Sequence, residues 1–436
     1  MTPPYSLYFH IPFCVHRCAY CDFNTYAGQE DMIPAYVEGL TREIDFVGNN
    51  LRTTNYQSTN YQSANLPIYQ PIVHTIFFGG GTPSLLSPKQ FASIFKSIRD
   101  NFTLSDDAEI TIEANPGTVS YENLLELRRL GINRISYGVQ SANTEELRML
   151  ERAHNFFDVI EAVTSARRAG FDNLNLDLIY GLPGQSLPTW QTTVKRILDL
   201  HPEHISAYAL TLEHGTPFGR WSARGLLPFP DPDLAADMYE WASEAFELAE
   251  YLQYEISNWA KAESRKPTSE ANSRFILRPS AFACRHNLQY WRGLPYLGFG
   301  AGAHGYANSY RYSNVLRIKT YIDRLTNSQF TNYQSTNYQF PLSPATVNHH
   351  KQTSHDDMSE YMMTGLRLTR EGVHAEEFQT RFGQSMYEVY GKEIDELFGL
   401  NLIEYPSPNG RGVRGEGIRL TKRGRLLGNQ VFIRFI

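Results

Sequence analysis

Cys14, Cys18 and Cys21 form a C-x3-C-x2-C run, directly after the first strand-like apolar segment of the chain. Three thiolates so close in sequence can all point at one centre, and thiolates are the natural ligands of zinc and of iron–sulfur clusters. A structural zinc ion wants four protein ligands, whereas this motif supplies three. On a four-iron cluster, three thiolates leave one iron open for another molecule. The alternative is a Cys3His zinc knuckle that draws on His10 or His16. The fourth cysteine, Cys284, stands far downstream, and four cysteines are too few for a disulfide scaffold in 436 residues.

Other chemistry-bearing residues recur where apolar runs end. Gly79, Gly80, Gly81, Thr82 and Pro83 follow the run His74–Phe78. Glu113 closes the run Glu109–Glu113, and Gln140 follows Arg134–Val139. Consecutive glycines let backbone groups approach a ligand closely. A charged residue that ends an inner strand is often only an internal ion pair, so it is the order of these features that carries weight. A second cluster is CRHNLQYW at 284–291, followed by the glycine-rich GLPYLGFGAGAHGY. Neutral imidazole is a common metal ligand, which makes His286 a candidate and His304 a weaker second one. Tyr290 and Trp291 are suited to packing against a flat, apolar ligand. The competing reading is a core histidine among ordinary core aromatics, with Cys284 a buried structural thiol.

The segment YFHIPFCVHRCAYCDF resembles the cluster loop of radical S-adenosylmethionine (SAM) proteins. The closest resemblance is to the group that contains the oxygen-independent coproporphyrinogen III oxidases and the HemW heme chaperones. It extends over nearly the whole chain. It implies a [4Fe–4S] cluster on Cys14, Cys18 and Cys21, with SAM bound at the open iron through its amino and carboxylate groups. The implied SAM contacts are Tyr8, Phe23, Gly80, Gly81, Thr82, Glu113, Gln140, Arg152, Asp177 and Ala209. Of these, Glu113 faces the amino end, Asp177 the ribose hydroxyls and Ala209 the adenosine. The stretch at 284–291 resembles the H-N-x-x-Y-W motif of the chaperones, which implies heme contacts from His286, Asn287, Tyr290 and Trp291. The oxidases carry a fourth cysteine two residues after the third. Here that position is Phe23, so the resemblance favours a chaperone that hands heme to acceptor apoproteins, respiratory membrane enzymes among them. The alternative is the oxidase, which decarboxylates coproporphyrinogen III by hydrogen abstraction. Radical chemistry also needs an electron donor, which the sequence does not name, and no residue is assigned a catalytic role.

These residues need elements to hold them. Strand-like runs at Leu7–His10, His74–Phe78, Glu109–Glu113, Arg134–Val139, Leu174–Ile179 and Ile205–Leu210 alternate with helical patterns at Pro34–Phe46, Pro88–Asn101, Tyr121–Leu130, Phe157–Ala169 and Leu187–Leu200. Six strand–helix units imply a parallel sheet with right-handed crossovers, whose carboxyl ends bind ligands. The expected class is α/β: a partial (β/α)6 radical-SAM barrel, a small α+β extension and a C-terminal, mostly helical, winged-helix-like domain. The expected limits are 1–225 for the barrel, 226–325 for a connecting region with the proposed heme motif, 326–355 for a linker and 356–436 for the C-terminal HemN-type domain. A helix at Asp231–Tyr251 and a strand at Tyr254–Trp259 belong to the connecting region.

TNYQSTNYQ occurs identically at 54–62 and 331–339 without similar flanks, so these copies read as low-complexity insertions rather than structural repeats. The insertions are placed near 52–72, near 261–280 and in the linker, with a further glycine-rich stretch at 407–417. A formal charge of −6 gives no field for nucleic acid. No run of about 18 apolar residues exists, and MTPPYSLYFHIPFC has neither the basic nor the long apolar part of a signal peptide. The expected setting is cytoplasmic, with membrane contact at most transient.

Overall fold

The computed structural model describes residues 4–58, 70–262, 281–327, 342–406 and 416–436, with backbone alone for 53–58. The second TNYQSTNYQ copy, and most of the proposed insertions at 261–280 and 407–417, lie outside the described residues. In the first copy, residues 54–58 continue a helix.

The six expected strands are present as β1 (Tyr5–Ile11), β2 (Ile72–Gly80), β3 (Thr103–Ala114), β4 (Arg134–Gln140), β5 (Leu174–Tyr180) and β6 (His204–Ala209), paired in parallel in that order. Helices cross between them: α1 (Ile33–Ser58), α2 (Pro88–Asn101), α3 (Tyr121–Leu130), α4 (Phe156–Arg168) and α5 (Leu187–Leu198). Their starts are set locally. Ser87 caps α2 in a reciprocal box with Gln90, and Asn155 caps α4 with Asp158, which satisfies the first free N–H groups. Helix α1 runs past the expected Phe46, because Val47 and Leu51 continue its buried face.

Strand alternation sorts the side chains. Leu7, Phe9 and Ile11 are buried against the helices, and Phe9 stacks on Phe78 at 4.9 Å and Phe299 at 5.1 Å. The alternate residues form in-register rows on the opposite face. Tyr8 lies beside Phe77, Thr111 beside Arg134, and Glu113 beside Ser136. Asn175 lies beside His204 and Asp177 beside Ser206. Period-two geometry therefore separates an apolar outer layer from a polar inner one, and the inner one carries the chemistry.

The connecting region begins with α6 (Pro232–Leu248). The strand expected at Tyr254–Trp259 is instead a hairpin of β7 (Tyr251–Glu255) and β8 (Asn258–Lys261) that extends the sheet beyond β6. The turn forms because the Glu255 carboxylate accepts from the Ser257 N–H at 2.8 Å, which reverses the chain. Helix α7 (Arg285–Trp291) holds the second motif. Then β9 (Tyr296–Phe299) joins the sheet parallel to β1, and β10 (His304–Ala307), β11 (Tyr310–Asn314) and, after α8 (Ile318–Thr326), β12 (Thr346–Lys351) follow antiparallel. Strand β12 lies within the stretch read as linker.

The C-terminal part has its own core around Met362, Phe378, Ile394 and Leu420. It contains α9 (Ser354–Gly365), α10 (Ala375–Phe382) and α11 (Met386–Gly399). A three-stranded sheet places Gly417–Leu420 between Val373–His374 and Ile403–Glu404. It docks through ion pairs from Arg311 to Glu360 and from Arg292 to Glu371.

Candidate functional site

The cluster loop leaves β1 and is pinned to the end of β2. Gly81 N–H donates to Ile11 O at 2.8 Å and Thr82 N–H to Phe13 O at 2.7 Å. A side chain at Gly81 would sit 2.5 Å from Phe13 O. Gly80 has φ +112°, and a Cβ there would lie 2.5 Å from the His10 ring. Glycine is thus required by close approach at one position and by backbone conformation as well at the other.

The three thiols line one cavity of about 400 Å³ at the carboxyl ends of the strands. Each is held from a different direction. The Thr82 hydroxyl donates to Cys14 Sγ at 3.7 Å, the Arg152 guanidinium donates to Cys18 Sγ at 3.4 Å, and Cys21 Sγ meets Thr25 Oγ1 at 3.9 Å. Burial pushes the Cys14 and Cys21 thiols up, and binding of a metal would deprotonate them. Donors aimed at sulfur suit thiolate ligands of a cluster. Among the described residues no three His, Cys, Asp or Glu side chains are arranged to hold a single metal ion. A four-iron cluster takes each thiolate on a different iron.

Nine of the ten expected SAM contacts line this cavity: Phe23, Gly80, Gly81, Thr82, Glu113, Gln140, Arg152, Asp177 and Ala209. Tyr8 does not. It points into two neighbouring cavities, and its hydroxyl meets His10 Nδ1 at 3.1 Å. Glu113 accepts from Gly80 N–H at 3.0 Å, and burial, with Asp177 nearby, pushes its carboxyl up to about 8. Asp177 accepts from Ser136 and Asn175. Gln140 has φ +69°, a conformation unusual for a side-chain-bearing residue and stored at the mouth of the site. Asn115, overlooked by sequence reasoning, links Thr82 Oγ1 to Arg152. It stands two residues after Glu113, at the end of the same strand. Ser136 and Tyr208 were also missed, although period-two alternation on β4 and β6 would have found them.

The second motif, at 284–291, lies beside this cavity. An inner cavity of about 200 Å³ shares Glu113, Ser136, Asp177 and Tyr208 with it, and is lined by His286, Asn287 and Tyr290. An outer cavity of about 600 Å³ shares Asp22 and Phe23 with it, and is lined by Tyr290, Trp291 and His304. The Glu109 carboxylate fixes the motif helix by accepting from the N–H groups of Arg285 and His286 at its first turn. Cys284 is fully buried and its thiol is pushed up to about 12, so it stays protonated, as a structural thiol does. No helix among the described residues is long and apolar enough to cross a membrane.

The chain is similar to known proteins over most of its length. The radical SAM superfamily model matches residues 8–197 and the HemN C-terminal domain matches 352–427. The heme chaperone HemW of Bacillus subtilis is 35% identical over 432 residues, 99% of this chain and 99% of that one. HemW of Escherichia coli K12 is 39% identical over 305 residues, 70% of each chain. The fold of the E. coli coproporphyrinogen III oxidase HemN superposes with a TM-score of 0.74 at 22% identity, covering 100% of this chain and 90% of that one.

Proposed function

From the premise that the chain belongs to the heme chaperone HemW family of radical SAM proteins, we propose that it binds heme and passes it to acceptor apoproteins, with respiratory membrane enzymes as the target class. Cys14, Cys18 and Cys21 hold a [4Fe–4S] cluster. Phe23, Gly80, Gly81, Thr82, Glu113, Gln140, Arg152, Asp177 and Ala209 would hold SAM beside it. A cluster held there would supply one-electron reducing chemistry to the bound SAM. The protein's part is orientation. The glycine turn brings backbone against the aminoacyl end, Glu113 accepts from the amino group, and Asp177 faces the ribose. Heme lies in the outer cavity against Tyr290 and Trp291, with His286 and Asn287 in the layer behind.

The observation that carries this reading is that the outer cavity meets the cluster cavity at Asp22 and Phe23. A flat cargo held there is a neighbour of the cluster and shares Asp22 and Phe23 with its cavity.

A second reading, oxidation of coproporphyrinogen III, is compatible with the HemN-like fold. Phe23 argues against it, since this residue is 65% exposed where the oxidases carry their extra cysteine. Anaerobically reconstituted, reduced protein supplied with SAM and coproporphyrinogen III is expected to form no protoporphyrinogen IX. Product above background would restore the oxidase and sink the chaperone assignment.

A further inference from the structure

The motif histidine cannot offer iron a lone pair as it stands. His286 is 1% exposed, and both ring nitrogens are engaged: Nδ1 with Thr75 Oγ1 at 2.8 Å and Nε2 with the Tyr290 hydroxyl at 2.8 Å. The Thr75 hydroxyl donates its proton to Ser6. Nδ1–H is therefore the donor to Thr75, and the Nε2 lone pair accepts from Tyr290. The ring is also clamped, stacked on Phe77 at 5.1 Å and edge-on to Tyr290 at 4.9 Å. His10, which lines the outer cavity, is engaged in the same way. Its Nε2–H donates to Asn24 O at 2.9 Å, and its Nδ1 accepts from Tyr8. In both rings a tyrosine hydroxyl occupies the lone pair that iron needs.

His304 differs. It opens β10, lines the same outer cavity, is exposed, and has no ring hydrogen bond among the described residues. Trp291, Tyr296, Leu294 and Phe23 give that cavity flat, apolar walls, and its size falls in the range of cofactor sites. Desolvation by the cavity walls and the nearby Arg311 guanidinium both favour the neutral, ligating ring.

We infer that heme binds in the outer cavity with His304 as its iron ligand, while His286 positions Tyr290 as part of the wall. This rests on the heme-binding reading above. It moves the ligand role out of the H-N-x-x-Y-W motif and leaves the motif as the surface against which the porphyrin packs.

The test is titration of the full-length protein with ferric hemin, read by Soret position and by affinity. Wild type is expected to give a histidine-ligated spectrum. His304→Ala should lose that spectrum and bind roughly tenfold or more weakly, with iron and sulfide content after reconstitution unchanged. Added imidazole should restore the ligated spectrum to His304→Ala, which a merely structural role would not allow. His286→Ala should keep the ligated spectrum. The inference is overturned if His304→Ala keeps the wild-type spectrum, or if His286→Ala alone loses it and imidazole restores it. Wild-type protein that binds no hemin would instead overturn the chaperone reading itself, and this inference with it.

Discussion

Replacing Cys18 by serine should give a folded chain that assembles no four-iron cluster. Cys18 is only partly buried and belongs to no hydrophobic core cluster, so losing its sulfur costs the fold little. Its one described side-chain partner is the Arg152 guanidinium, a donor that favours a thiolate. Two remaining thiolates cannot hold three irons. After anaerobic reconstitution, iron and sulfide content should fall to background and the broad charge-transfer absorbance should vanish, while the thermal transition stays near that of the wild-type apoprotein. Cys284→Ser is the control, because that thiol is protonated, buried and remote from the cluster loop, and the variant should keep its cluster. A Cys18→Ser protein with near-full iron content would remove Cys18 from the ligand set.

Glu113→Gln should separate stability from cofactor binding. Burial raises this carboxyl from its ordinary 4.5 to about 8. Between those values the folded protein keeps a proton that the unfolded chain releases. The native state therefore binds more protons, and its stability must fall as pH rises through that window. The full interval corresponds to roughly 5 kcal/mol, and water entering the cavity reduces this to a few kcal/mol. Glutamine does not titrate and can still accept from Gly80 N–H. The apo variant should match wild type near pH 5 and be increasingly more stable toward pH 8, as read by urea unfolding at each pH. The same change removes a carboxylate acceptor for the SAM amino group. Losing a charge-assisted hydrogen bond of roughly 1.5–3 kcal/mol should weaken SAM binding by about tenfold to a hundredfold. Parallel pH profiles for the two apoproteins would mean that Glu113 is ionised in the folded state. Unchanged SAM affinity would place the amino group elsewhere.

Much of the site was legible because its signals are local. The spacing of Cys14, Cys18 and Cys21 survives any fold. The Gly79–Pro83 turn and Glu113 announce themselves as chemistry at strand ends, whereas Asp177 was marked only by the family resemblance. The hairpin at Tyr251–Lys261 was less visible. A two-residue reversal through Ile256 and Ser257 has no glycine or proline, and the Glu255 side chain that makes it is a tertiary accident of burial. Tyr8 shows a different limit. Its distance from Cys14 in sequence matches the family pattern, yet its ring points away from the cluster cavity, because its hydroxyl is tied to His10.

The sequence alone determined the α/β order and the family, since each is written in period or identity along the chain, and the spacing of three cysteines proposed the cluster ligands. It could not determine which histidine has a lone pair free for iron. His286 stands in the H-N-x-x-Y-W motif and His10 and His304 do not, yet all three are the same residue type. Only packing decides that the first two are locked by tyrosine hydroxyls while the third opens onto an aromatic cavity. A lone pair is taken or free according to what lies within hydrogen-bond reach in space, and those partners (Thr75 and Tyr290, Tyr8 and Asn24) come from strands, a helix and a loop that only the folded sheet brings together.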